Sequence, residues 1–517
     1  MYAKVQGSSI IGIDGSIIDI EIDLSNGLPQ FQIVGLPDSS IKEAKERVRA
    51  AIKNTGYNFP MKRITINLAP ADIKKEGSGF DLPMAIGILL ASDQISIKKI
   101  RFSLGETLFI GELSLDGSIQ SINGILSMTL AARDNNISSL IVPRANVEEA
   151  RLVSEIDVYG FSHIREVINF LADELDTKDQ SVYTNSKQNL NEAEMDNRNN
   201  FADVKGHYQV KRAIEVAVAG MHNLLMVGPP GSGKSMIAKR ISSVLPELTW
   251  SEALEVTQIH SVAGELNERG KLINNRPFRS PHHTISTAGL VGGGTTPKPG
   301  EISLAHRGVI FLDELPEFNR SSLESLRQPL EDGKVKISRA KANHVFPSEV
   351  MLVAAMNPCK CGYFGTNVPN HECQCSLTEV KRYRAKISGP LLDRIDIQIE
   401  VPWVNIETLR EKKKEKSSQE MREEIAKARE IQKKRFKEKG IQFNSEMNSI
   451  QVRKYCRLEE QAETLLHNFF NQMGLSGRSL DRILKISRTI ADLDESELIK
   501  VSHLAEAINY RALEKVW

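Results

Sequence analysis

The 517-residue chain is 40% hydrophobic and 26% charged, ordinary globular usage that excludes collagenous, fibrous and wholly disordered classes and, at about 150 residues per domain, predicts three or four folding units. Lys plus Arg (67) against Asp plus Glu (66) leaves a formal charge of +1, so any nucleic acid or membrane surface must meet a local patch rather than the molecule as a whole. Five cysteines cannot staple so long a chain, the opening MYAKVQGSS lacks a leader pattern, and LPMAIGILLA at 82–91 is about half of a bilayer-spanning helix; together these predict a cytoplasmic protein without a membrane partner.

Residues 1–172 alternate short apolar runs (IIGI, ITINLAP, SLIVP) with helical patterns such as SIKEAKERVRAAIKNTG, which predicts a compact α/β domain. The stretch 173–200 offers almost nothing to bury and reads as a solvated linker. From 201 to 402 strands and helices alternate around Gly-rich turns, the pattern of a mostly parallel sheet covered by helices. After Trp403 a Lys/Glu-rich run is followed by apolar positions at helical spacing, so 403–517 is predicted to be all-helical.

Within the second domain, NLLMVGPPGSGKSMIAKRIS is an apolar strand, a G-x-x-x-x-G-K-S loop and a helix. Phosphates need closely approaching N–H donors and a cation, and Gly228, Pro229, Pro230, Gly231, Ser232 and Gly233 can form such a nest, with Lys234 as the cation. ATP or GTP is the expected ligand, with Mg2+ on Ser235. The apolar run GVIFLDEL (308–315) ends in two carboxylates: Asp313 is expected to hold magnesium and Glu314 to polarise the attacking water. A further strand, VMLVAAMNP, ends in Asn357, whose amide can orient the same water.

Directly after it come Cys359, Cys361, Cys373 and Cys375, on a loop with too few apolar side chains to hold itself together. Four thiolates suit a structural zinc, although C-x-C pairs are less typical than C-x-x-C; reduced buried thiols or a redox switch are the alternatives. Cys456 stands alone on a helical stretch and reads as core or surface.

The phosphate loop, LDEL, AAMNP, SGPLLDRID (388–396) and SGRSLDRIL (476–484) occur in the order of an AAA+ ATPase, and FRSPHHTISTAGLVGGG and NPCKCGY narrow the resemblance to the magnesium-chelatase-like family and its competence-protein branch. The resemblance runs the whole length. It implies an N-terminal Lon-protease-like (ribosomal S5 domain 2-like) α+β domain, a P-loop AAA+ core with a parallel sheet and a helical lid.

By the same resemblance Arg394 is the arginine finger given to a neighbouring subunit and Arg478 the second sensor, coupling hydrolysis to lid rotation in a ring, expected to be a hexamer. A guanidinium supplied across an interface is worth about 10³ to 10⁵ in rate. TAGLVGGGTTPKPGEISLAH is similar to the family's hairpin-like insert, and GKVKISRAKANHVFP to its pre-sensor hairpin, both expected to face a channel. There Lys334, Lys336, Arg339 and Lys341 would follow the phosphates of single-stranded or branched DNA; as plain hairpin charges they would only be solvated.

The family's competence branch implies helicase-driven branch migration. The motor subunit of a magnesium chelatase is the alternative, and a nucleotide-gated assembly protein is disfavoured by the presence of both base and finger. A protease is also disfavoured. KKEGSGFDLPMA resembles the Lon nucleophile loop, but Gly79 stands where the serine belongs, with Ser78 one residue early, and Leu126 and Met128 stand where the lysine would lie. A nucleophile and its base must lie within about 3 Å, so the slip is not harmless.

Overall fold

The computed structural model describes all residues except 73, 96–102, 173–198, 267, 295–296, 340–341, 411–414, 438–439, 474–475 and 512–517. The expected linker therefore falls almost wholly outside the described residues.

The N-terminal domain is built on a seven-stranded mixed sheet. Its order is Gln30–Val34, Arg63–Ala69, Asp14–Ser25, Tyr2–Ile11, Thr107–Phe109, Ser139–Pro143 and Asp157–Phe161. Along Asp14–Ser25 the side chains of Ile18, Ile20, Ile22 and Leu24 are buried while their neighbours are more exposed, the period of two that one covered face imposes. The cover is the helix Asp81–Ala91, buried at all eleven positions. This is why LPMAIGILLA is apolar all round: it is a central helix packed on every side within the domain. Gly87 makes the close approach possible, since a Cβ there would lie 2.2 Å from Ile22 Cδ1.

The central domain has a five-stranded sheet in the order Phe278–Arg279, Val309–Leu312, Met351–Met356, Leu224–Val227 and Ile397–Glu400, with every neighbouring pair parallel. Parallel strands are covered on both faces, which accounts for the unbroken apolar runs VIFL and MLVAAM. Because all strands point one way, the residues that follow Val227, Leu312 and Met356 collect at the carboxyl edge.

Among the described residues, every named element beyond Trp403 is a helix. The lid is continuous with the core of the sheet: Met421, Ile425, Ile483 and Ile490 pack in one buried cluster with Ile214 and Met226. Lys211 and Glu415, both buried and 2.7 Å apart, add an ion pair across the same junction. The N-terminal domain rests on the helix Trp250–Ala263. Gln258 Nε2 donates to Ile13 O (2.9 Å), Ser261 Oγ donates to the Glu149 carboxylate, and Gly12 N donates to His344 Nδ1 (3.3 Å). Among the described residues no helix is long and apolar enough to cross a membrane.

Candidate active site

The phosphate loop joins the strand Leu224–Val227 to the helix Lys234–Arg240. Gly231 (φ 76°) and Gly233 (φ 86°) occupy the left-handed region that side chains avoid. Lys234 is buried, and its Nζ donates to Gly228 O (2.7 Å), Pro229 O (2.8 Å) and Asn357 Oδ1 (3.2 Å). Burial pushes its pKa down to about 8, against the opposing pull of Asp313 and Glu314. The Ser232 hydroxyl is buried and finds no hydrogen-bond partner among the described residues. A buried, unsatisfied donor inside a glycine nest is what a phosphate oxygen would complete, so the residues fit a nucleoside triphosphate.

Ser235 Oγ donates to Asp313 Oδ2 at 2.5 Å, bringing two hard oxygen ligands together across the sheet edge, as Mg2+ requires. Asp313 Oδ1 also accepts from Glu314 N (2.9 Å). Glu314 lies in the left-handed region (φ 51°) with its carboxylate exposed, turned away from the strand that precedes it. Its neighbour is His283, with Nδ1 3.6 Å from Glu314 Oε2.

The sequence pattern assigns no role to His283. Its position just beyond the edge strand Phe278–Arg279 is the one signal that could have singled it out. Asn357 is held from behind by two residues that carry no motif. The Tyr383 hydroxyl bonds the Asn357 backbone, and burial raises its pKa; Arg384 Nε donates to Pro358 O (3.1 Å).

Arg394 lies at the other edge of the sheet. Asn223, which immediately precedes the phosphate-loop strand, donates through Nδ2 to Arg394 O (2.7 Å), and Asn223 O accepts from the backbone N–H of Asp396 and Ile397. The guanidinium donates to Arg327 O (3.0 Å) and Pro390 O (2.7 Å) and pairs with Glu331. It lines a cleft of about 400 Å³ with Arg478, Arg276, Arg307, Arg482 and Lys485, and no residue of the 228–235 loop borders that cleft. Lys234, Ser235, Asp313, Glu314 and Asn357 thus gather at one edge, while Arg394 and Arg478 gather at the other.

The four cysteines converge. Sγ separations are 3.3 Å (Cys359–Cys361), 3.5 Å (Cys361–Cys373) and 3.8 Å (Cys359–Cys373), and all four sulfurs lie within 4.8 Å of one another. Tetrahedral zinc with Zn–S near 2.3 Å needs sulfurs about 3.8 Å apart, so the donor set fits. Burial opposes ionisation of Cys361, but the Tyr363 N–H and the Cys359 thiol hold its pKa down to about 6. Cys456 is buried, as a core residue.

Lys334 and Lys336 are exposed on the strand Lys334–Arg339, alternating with buried Val335 and half-buried Ile337, and the strand pairs antiparallel with Ala342–Pro347. This is the expected hairpin. The side chain of Arg339 and the whole of Lys341 lie outside the described residues. The Gly-rich insert departs from a simple hairpin: a short helix, Thr287–Val291, precedes two paired dipeptides, Gly292–Gly293 and Lys298–Pro299. In the N-terminal domain, the Ser78 hydroxyl donates to the Glu112 carboxylate, and Leu126 and Met128 are buried.

Three family models divide the chain: subunit ChlI of magnesium chelatase over residues 20–146, the magnesium chelatase ChlI subunit over 200–409 and its C-terminal region over 415–511. The competence protein ComM of Haemophilus influenzae is 43% identical over 99% of this chain and 98% of its own length. The chain belongs to the magnesium-chelatase-like AAA+ ATPase family, in its ComM and YifB branch. YifB of Escherichia coli, an uncharacterized protein, is 40% identical over 99% of this chain and 97% of its own length. Lon protease 2 of Bacillus subtilis is 28% identical over 27% of this chain and 26% of its own length, in keeping with the Lon-like character of the N-terminal domain. Membership makes the chain an ATPase of this family, which implies ATP and Mg2+.

Proposed function

We propose that this chain is one protomer of a hexameric, cytoplasmic ring in which ATP held by the phosphate loop of one copy is hydrolysed with Arg394 and Arg478 of the next. The cycle moves single-stranded or branched DNA through the centre, as a helicase acting in branch migration. The observation that carries this reading is the separation of the two groups across the sheet. Four residues of strand at about 3.3 Å each put roughly 13 Å between the amino edge and the phosphate loop, so the arginines serve a triphosphate that is not their own.

In this reading Lys234 and the loop N–H groups hold the phosphates and Ser235 and Asp313 hold the magnesium ion. That ion, when bound, neutralises charge on the phosphate oxygens. Glu314 takes the proton of the attacking water, Asn357 orients that water, and the neighbouring guanidinium stabilises the charge that spreads over the γ-phosphoryl oxygens. Lys334 and Lys336 grip phosphates on the channel wall. Zinc on the four cysteines is structural, since no ligand position is left open for chemistry.

The name of one relative, a competence protein, favours DNA; the descriptions of the family models favour the second reading, the motor subunit of a magnesium chelatase. ATPase rate measured without DNA, with single-stranded DNA and with forked DNA at two salt concentrations separates them. Stimulation that weakens as salt rises supports the DNA reading. Absence of both stimulation and salt-sensitive binding overturns it in favour of the chelatase motor.

A further inference from the structure

The cysteine loop touches the nucleotide site directly. Gly362, between the first cysteine pair and the second, lies in the left-handed region (φ 95°) with its backbone against Pro230 of the phosphate loop: a Cβ there would fall 2.6 Å from Pro230 Cδ and 2.7 Å from Cγ. Two residues upstream of Cys359, Asn357 Oδ1 accepts from Lys234 Nζ. The same short segment thus meets the phosphate loop twice, once through the water-orienting amide and once through the turn between the cysteines.

Burial does little to hold that segment in place. Of residues 357–376 only Pro358, Cys359 and Gly362 are buried, and the stretch between the strand Met351–Met356 and the helix Leu377–Arg384 contains no regular element. Its ties among the described residues include the Tyr383 hydroxyl on the Asn357 backbone, Arg384 Nε on Pro358 O, the Arg384 guanidinium 5.5 Å above the Phe364 ring, and the Tyr363 and His371 rings 4.7 Å apart. These are few ties for a segment that must keep a turn pressed on a proline. Four sulfurs at zinc-ligand spacing supply the missing constraint, because an all-cysteine metal site fixes otherwise unsupported backbone.

We infer that the four-cysteine site is a metal-dependent clamp on the phosphate loop, so that zinc occupancy sets the affinity for nucleotide. The inference rests on the zinc reading above and adds to it a consequence at a distance from the metal. With zinc bound, Gly362 backs Pro230 and fixes the spacing of the loop from Asn357. Without zinc the turn leaves Pro230, the loop loses one wall, and the triphosphate must order it on binding.

The test uses the full chain. Zinc content is measured by elemental analysis, and a fluorescent ATP analogue is titrated before and after zinc is withdrawn by a thiol-competing chelator under reducing conditions, then after zinc chloride is returned. The expected result is about tenfold weaker binding in the zinc-free protein, restored on return of the metal. Gly362→Ala supplies an arm that does not depend on stripping: it is expected to keep its zinc and still bind the analogue about tenfold more weakly, because the new methyl group displaces Pro230. Protein that neither contains nor takes up zinc refutes the zinc reading and the clamp with it. Zinc-replete and zinc-free proteins that bind the analogue equally refute the clamp alone, as does a zinc-loaded Gly362→Ala protein of unchanged affinity.

Discussion

The shared-site reading makes a quantitative demand on Arg394→Ala. The side chain contacts Arg327 O, Pro390 O and the exposed carboxylate of Glu331, a half-solvated set whose ion pair is worth at most about 1 kcal/mol, so the protomer should fold unchanged. Its effect on turnover should be far larger. A finger worth about 10³ to 10⁵ corresponds to roughly 4–7 kcal/mol of transition-state stabilisation.

If Arg394 acts on a neighbour, it should be separable from Lys234, which sits about 13 Å away along the strands and serves the chain's own nucleotide. Arg394→Ala and Lys234→Ala proteins, each silent alone, should therefore complement when mixed. An interface is complete where an Arg394→Ala loop faces a Lys234→Ala finger, which random mixing in equal amounts produces at about one interface in four. Phosphate release should rise from background to about a quarter of the unmutated rate at equal total protein. An Arg394→Ala protein that turns over within a few-fold of the parent, or a mixture that stays silent while subunits demonstrably exchange, would refute the argument from sheet edges.

Glu314→Gln should bind nucleotide with unchanged affinity and lose turnover by about 10² or more, measured by equilibrium binding beside phosphate release; retained hydrolysis removes Glu314 from its role as base. Burial holds Lys234 near a pKa of about 8, so its ammonium is complete below that pH and is lost as pH rises through it. Bound phosphate restores the charge, so ATP binding should take up about half a proton at pH 8 and more at pH 9, read as a calorimetric heat that changes with the ionisation enthalpy of the buffer; buffer-independent heats contradict this. Replacing Lys334 and Lys336 together by alanine should abolish stimulation by DNA and lower the slope of log affinity against log salt by about 1 for each phosphate left without its lysine, and an unchanged slope would take these lysines off the path of the polymer.

The nucleotide pocket is legible in the sequence because its chemistry is local. Eight consecutive residues build the phosphate nest, and a four-residue apolar strand carries Asp313 to the edge where Ser235 waits, so order along the chain already implies proximity. The cysteines are legible for the same reason, since a loop of this length that buries so little needs a cross-link. Supports that come from elsewhere in the chain leave no such trace. Tyr383 and Arg384 sit on a helix of unremarkable pattern, and their grip on Asn357 and Pro358 depends on how that helix returns to the sheet. The contact of Gly362 with the Pro230 ring joins residues more than a hundred positions apart, and because a glycine contributes only its backbone to it, no side-chain pattern records it. The insert reads as a hairpin from its glycines, yet Ser286 caps a short helix first by accepting from Gly289 N, a local competition that turn composition alone does not resolve.

The lid bears on how the proposed ring would move. Hinge closure turns on a few residues between bodies that otherwise part, whereas here Met421, Ile425, Ile483 and Ile490 share one buried cluster with Ile214 and Met226, a junction of the kind that slides in shear. Replacing any one of these with alanine should cost about 2–5 kcal/mol of stability, read as a lower denaturant midpoint. In the proposed ring a lid rotation would therefore be a small shear that keeps this cluster packed rather than an opening of it. Arg478 on the lid and Arg394 beside the sheet line one cleft, so in the proposed ring a triphosphate held by the next protomer would pull on both together. A displacement of one protomer against its neighbour would then carry the strand Lys334–Arg339 and its hairpin with it.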